Sequence, residues 1–111
     1  MQNSKVTALL GFAAKAGKLS YGMDAAQKTL KGGKARLVTA ACDVSPKSRK
    51  EAAFFANKGS VDFLTLEGLD IKTLSDAVGR RCGILTINDS GFADAILKAY
   101  TRGGNANDEQ I

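Results

Sequence analysis

Chemistry-bearing side chains in this 111-residue chain concentrate in one stretch, Gly17 to Asp43, reading GKLSYGMDAAQKTLKGGKARLVTAACD. Lys18, Lys28, Lys31, Lys34 and Arg36 crowd into it, and a second basic pair, Arg80-Arg81, follows a glycine far downstream. Gly17 and Gly22 bracket a turn with no side-chain bulk at either end, so the backbone there can approach a partner closely. The helix expected after that turn points its N-terminal amides back at it, and helix N-termini favour anionic groups such as phosphate. The chemistry implied is anion binding, with the remainder of the chain as its scaffold.

Other chemistries have few residues to work with. Histidine is absent, and two cysteines, Cys42 and Cys82, are too few for a zinc site or a disulfide framework. Both read as small buried residues at strand ends, in keeping with a reducing cytoplasm. The segment GKLSYG lacks the GxxxxGK[ST] spacing of a nucleotide-binding loop and the GxGxxG of a dinucleotide site. With no Ser or Cys beside a plausible base, nucleophilic and acid–base catalysis lack candidates. Neither an enzyme nor a bound cofactor or metal is expected.

Charge carries more information. The net charge is +5, but residues 1–58 hold 11 basic and 3 acidic side chains, whereas residues 59–111 hold 5 and 8. A polarised basic half implies an anionic partner, with nucleic acid the leading candidate; a merely soluble basic surface is the plain alternative. No apolar run approaches the roughly 18 residues that a membrane span requires. The N-terminal segment MQNSKVTALLGFAAKAGK reads as an amphipathic helix rather than a secretory signal, because Val6, Leu9, Leu10, Ala13 and Gly17 recur at helical spacing.

Periodicity and punctuation place the elements. Helices are expected over Ser4 to Ala16, Met23 to Lys31, Pro46 to about Lys58, Asp70 to Val78, and from the Asn88–Gly91 turn through Tyr100. Ser45 and Asp70 are the expected caps of the third and fourth. Strands are expected at Leu19–Tyr21, Ala35–Ala41, Val61–Leu66 and Cys82–Ile87; the second and last are apolar enough to be buried on both faces of a sheet. Lys47, Arg49 and Lys50 open the third helix, where positive charge opposes the macrodipole. Strict alternation of helix and strand predicts an α/β fold, a three-layer α/β/α sandwich around a central four-stranded mixed sheet. Residues 1–100 form a single domain on this reading, and 101–111 a disordered tail.

Three segments in this order resemble a known family. Gly22-Met23-Asp24-Ala25-Ala26-Gln27-Lys28 is followed by Gly33-Lys34-Ala35-Arg36-Leu37-Val38 and then by Asp43-Val44-Ser45-Pro46. The pattern is similar to that of the large-subunit ribosomal proteins seven-Ae and thirty-e and their bacterial relatives, whose members bind kink-turn RNA. There the first segment is Gly-x-Asn-Glu-x-x-Lys. Gly79-Arg80-Arg81-Cys82 resembles the family's second RNA-facing loop, and element order agrees over about residues 4–100. Two departures stand out. Asp24-Ala25 replaces Asn-Glu, so a donor–acceptor side chain becomes one that only accepts, and Ala25 offers neither. An apolar triplet in the second loop becomes Arg80-Arg81-Cys82, which shifts the expectation from base edges toward phosphates.

The resemblance implies an RNA-binding, ribosomal-protein-like module whose contacts are Lys18, Gly22, Met23, Asp24, Gln27, Lys28, Lys31, Arg80, Arg81 and Cys82. Lys28 would reach guanine O6 and N7 in the widened groove of a kink-turn, while Lys18, Lys31, Arg80 and Arg81 neutralise phosphates. Asp24 is either a helix N-cap or first-turn acid, or an acceptor for a guanine amino proton. Arg80-Arg81 either meets RNA or binds the last carbonyls of the preceding helix. A monomer associated with structured RNA, ribosomal or regulatory, in the cytoplasm is the resulting expectation. The alternative is a non-catalytic adaptor domain of the same fold, with the acidic second half as its partner surface.

Overall fold

Two strands with no exposed side chain on either face make the centre of the molecule. β2 (Leu37–Ala41) and β4 (Ile84–Ile87) are buried at every position, as expected of strands covered on both sides. The computed structural model describes residues 3–104, with side chains through 101. Around that pair the chain runs α1 (Asn3–Lys15), β1 (Leu19–Tyr21), α2 (Met23–Lys31), β2, α3 (Pro46–Lys58), β3 (Asp62–Leu66), α4 (Ile71–Val78), β4 and α5 (Ser90–Gly104).

Sheet order is β1-β4-β2-β3. β4 runs antiparallel to both β1 and β2, with Tyr21 opposite Leu85 and Thr39 opposite Leu85 on the other side. β2 and β3 are parallel and joined through α3, with Leu37 opposite Asp62 and Ala41 opposite Leu66. The sheet is therefore mixed, and helices cover both faces. α2 and α3 pack on each other and on the sheet, while α1 packs on α4 and α5. This is the expected α/β/α sandwich.

Local chemistry explains the element ends. Ser45 Oγ accepts the Ser48 N–H (3.2 Å) with Pro46 at the first helical position, and Asp70 Oδ1 accepts the Thr73 N–H (2.8 Å). The hydrogen bond from Thr73 also lowers the Asp70 pKa below the ordinary carboxylate value. Each such cap satisfies an amide at the helix start that has no partner within the helix. Arg49, one of the cations opposing the α3 macrodipole, folds back and donates Nη2 to the Val44 carbonyl (3.1 Å) and the Cys42 carbonyl (3.4 Å). Asp89 Oδ2 accepts the Phe92 N–H (2.9 Å) at the start of α5.

The core is aliphatic. Val6, Leu10, Leu37, Val38, Leu66, Leu74, Leu85, Ile87 and Ile96 are fully buried, and each such side chain contributes about 1.5–3 kcal/mol relative to exposure. At the outer edge the Tyr100 hydroxyl donates to the Thr65 carbonyl (2.8 Å), tying α5 to β3. The expected helix end at Tyr100 comes four residues later. α5 continues to Gly104, and the Thr101 hydroxyl donates back to the Leu97 carbonyl. The rest of the expected tail, 105–111, lies outside the described residues. No described helix is long and apolar enough to cross a membrane.

Candidate nucleic-acid interface

Gly22 fixes the geometry of the first loop. It stands between β1 and α2 at φ 90°, ψ 172°, a region that essentially only glycine occupies. Its N–H donates to the Ile84 carbonyl (2.9 Å) and its carbonyl accepts the Ala26 N–H (3.1 Å), so one residue closes the strand and starts the helix. A Cβ placed there would meet nothing within 4 Å, so the outer side of the hinge is open. Gly22 gives α2 no side-chain cap. The N-cap reading of Asp24 is thereby corrected: Gly22 is the cap, and Asp24 lies within the first turn, where its charge complements the dipole.

Along α2, Asp24, Lys28 and Lys31 recur at i, i+4 and i+7 and are all exposed. They form one outward stripe, while Ala26 is buried, and Met23 and Leu30 are half-buried against the core. Gln27 is half-buried and lines a groove toward α3 with Leu30, Lys31, Phe55 and Lys58. Lys28 belongs to the last turn of this nine-residue helix, whose bounds are those expected from the sequence.

The second loop is fastened beside the first. Gly79 ends α4 in the left-handed conformation (φ 76°), and Arg80 and Arg81 follow it, both exposed. Ser75 Oγ accepts the Cys82 N–H (3.1 Å) and donates to the Cys82 carbonyl (3.4 Å), which closes the loop onto α4. The Arg80 guanidinium lies 4.7 Å from the centre of the Tyr21 ring, an arrangement in which the cation is attracted by the ring face. Through Tyr21–Gly22–Ile84 and Arg80–Tyr21, the glycine hinge and the arginine pair are neighbours on one open end of the sheet.

Two expected contacts sit elsewhere, and a third, Lys31, lies at the far end of the α2 stripe. Cys82 is only 7% exposed; burial raises its thiol pKa, with Arg80 and Ser75 opposing the shift. It anchors the loop and presents no side chain to a partner. Lys18 precedes β1 at the strand's other end, where its carbonyl accepts the Asn88 N–H (2.8 Å). The strand between Lys18 and Gly22 spans about 10 Å at 3.3 Å per residue, so Lys18 is not gathered with Arg80 and Arg81.

Two participants were missed. Tyr21 read only as the end of a short strand, and Ser75 gave no signal, because a hydroxyl seven residues from its partner has no local pattern. Among the described residues, Lys72–Asp76 is the one ion pair within 4.0 Å, so no carboxylate comes that close to Lys28, Lys31, Arg80 or Arg81. The surface is a basic stripe and a basic loop around a bare helix start, with Asp24 as its one carboxylate and that group outside ion-pair distance of the cations.

A family model described as the ribosomal protein L7Ae/L30e/S12e/Gadd45 family matches residues 4–97. Among solved structures, a Bacillus halodurans protein of unknown function superposes with a TM-score of 0.82 at 21% identity, covering 87% of this chain and 97% of that one. A Giardia lamblia 15.5 kD RNA-binding protein is similar with a TM-score of 0.73 at 16% identity, covering 91% of this chain and 86% of that one. At these identities the likeness to the two structures is one of fold. The family match spans all four strands and most of the helical layers, and on that basis the chain belongs to the ribosomal protein L7Ae/L30e/S12e/Gadd45 family.

Proposed function

We propose that this protein binds structured RNA, kink-turns or related distorted motifs, through the α2 stripe and the Gly79–Cys82 loop. The observation that carries this reading is the adjacency of the two loops. The Gly22 N–H bonds Ile84 while Arg80 rests on Tyr21, so an open glycine hinge, a helix N-terminus and the Arg80 guanidinium share one surface, with Arg81 next in the chain. Family membership and the fold likeness to an RNA-binding protein support the same reading. Ordinary A-form RNA hides its major-groove base edges, so side chains reach them only where the helix is distorted or unpaired. Lys28, exposed and with no carboxylate within 4.0 Å among the described residues, donates to guanine acceptors on this reading, while Arg80 and Arg81 take phosphates.

Asp24 bears on specificity. An ionised carboxylate on this surface repels phosphate and accepts only from donors such as a guanine amino group. That makes Asp24 a selective element in a surface otherwise suited to any backbone. On this reading the protein acts by binding, without catalysis or cofactor, as a cytoplasmic monomer within ribonucleoprotein.

Filter-binding titration with a kink-turn RNA and a scrambled duplex, each at two salt concentrations, tests the proposal. Preference for the kink-turn supports motif recognition. Equal binding with a steep salt slope leaves a general RNA binder, and no binding even at low salt leaves the adaptor alternative. Asp24→Asn with Ala25→Glu, which restores the family pair, is expected to sharpen kink-turn discrimination; an unchanged ratio would show that the first loop is not used in the family manner.

A further inference from the structure

We propose that the opposite end of β1 carries a second, sequence-independent site for an RNA backbone phosphate, formed by Lys18, Lys34 and Arg36. This inference rests on the RNA-binding reading and extends its footprint. The three residues line one open concavity of about 550 Å³ together with Ser20 and Asn88. They come from two separate connections, the α1–β1 turn and the α2–β2 loop, and backbone bonds clamp these segments together. Asn88 N–H donates to the Lys18 carbonyl (2.8 Å), Arg36 N–H to the Ile87 carbonyl (2.8 Å), and Lys34 N–H to the Thr29 carbonyl (2.9 Å).

Arg36 is also held through its side chain. Its Nη1 donates to the Gly33 carbonyl (2.9 Å) and the Ala35 carbonyl (3.1 Å), so the guanidinium is positioned before any ligand arrives. No carboxylate lies within 4.0 Å of the three cations among the described residues. Asp89, next to Asn88 in the chain, is committed to the Phe92 N–H. Three like charges converging on one hollow repel one another, and an anion between them reverses that sign.

The spacing fits one bound RNA. The nine residues of α2 place the Lys34–Arg36 loop about 12 Å from the Gly22 hinge at 1.5 Å per residue. That distance is a few nucleotide steps along an RNA stem. A nucleic acid seated at the Gly22–Arg80 end can therefore lay a flanking stem over the concavity. Contacts of this kind set register and orientation and carry no sequence information.

The test compares wild-type protein with the triple variant Lys18→Gln, Lys34→Gln, Arg36→Gln, using a kink-turn RNA with long arms and one trimmed to two base pairs on each side. Amide NMR shifts at residues 17–18 and 33–36 are recorded alongside affinity. The variant is expected to bind the long RNA about tenfold more weakly at low salt, with the slope of log K against log salt shallower by about 0.7–0.9, the amount that one lost phosphate contact removes. Its kink-turn preference and its binding of the trimmed RNA are expected to be unchanged. The double variant Lys18→Gln, Lys34→Gln, which keeps the Arg36 hydrogen bonds, controls for folding and should show most of the effect.

Equal loss on long and trimmed RNA, or no shift at residues 17–18 and 33–36 while residues 22–28 respond, overturns the second site and leaves the first reading standing. Shifts at the concavity with inorganic phosphate but not with RNA would make it a free-anion site and also overturn the proposal. No response at either end fails both readings.

Discussion

The two ends of β1 present cations in different ways. At the Gly22 end, Arg80 is set against an aromatic face and its loop is tied down by Ser75 at two points, beside a hinge whose backbone only glycine adopts readily. At the Lys18 end, two lysines lie on loops clamped through backbone bonds, with no carboxylate within 4.0 Å of their ammonium groups among the described residues. The first arrangement suits reading a shape and the second suits holding a charge. The difference shows how one basic half-chain can divide specificity from affinity.

Changes at the hinge should have the largest effect. Gly22→Ala is expected to destabilise the fold by about 1–3 kcal/mol, because the residue must hold a glycine-only conformation. The added methyl itself meets open space. Denaturant unfolding measures the loss, and a variant as stable as wild type would mean the β1–α2 junction relaxes freely. Lys18→Ala at the other end is expected to leave stability unchanged.

Lys28→Ala is next. It should cost about 1–3 kcal/mol on a kink-turn RNA and less on a plain duplex if the ammonium reads a base edge. A uniform loss across RNAs would move Lys28 into the charge-holding class with Lys18. Tyr21→Leu removes the ring beneath Arg80 and keeps the strand. A loss of about 0.5–1 kcal/mol in RNA affinity is expected, in keeping with an exposed cation–π contact, and the same change combined with Arg80→Ala should add little further. Full additivity of the two would separate Tyr21 from the loop's function.

Much of this molecule was legible before its coordinates. Pro46 after Ser45, Asp70 before an apolar helix, and the apolar runs of β2 and β4 gave the element order and the buried strands, because each is a local pattern with a local cause. α2 was bounded correctly by Gly22 and Gly32 for the same reason. What the sequence did not disclose was which end of a short strand each cation occupies. Lys18 and Gly22 are four residues apart and read as one turn, yet three extended residues between them carry them to opposite ends. The Arg80–Tyr21 contact and the Ser75–Cys82 clasp depend on tertiary adjacency that spacing cannot express. Cys82 read as a contact by position, whereas its side chain turns inward beneath the loop.

The smallest expected effect concerns acid. The Asp70 carboxylate, whose pKa is lowered by the hydrogen bond from Thr73, caps the helix that leads into the arginine loop. A depressed folded-state pKa contributes stability that is fully present above the unfolded value and lost as pH falls through the folded one. Hydrogen exchange at the start of α4 should therefore quicken as pH drops below the ordinary carboxylate value of 3.8, after correction for intrinsic rates. Asp70→Asn should flatten that dependence. An identical acid response in the variant would assign the loosening to other carboxylates.

Photocross-linking of a thiouridine-substituted kink-turn RNA, with the attached peptides identified by mass spectrometry, tests the central claim most directly. Adducts are expected within residues 21–28 and 79–82 of the same molecules, reduced by Lys28→Ala and by added salt. Adducts confined to α1 and α5, on the opposite face of the sheet, would contradict that claim.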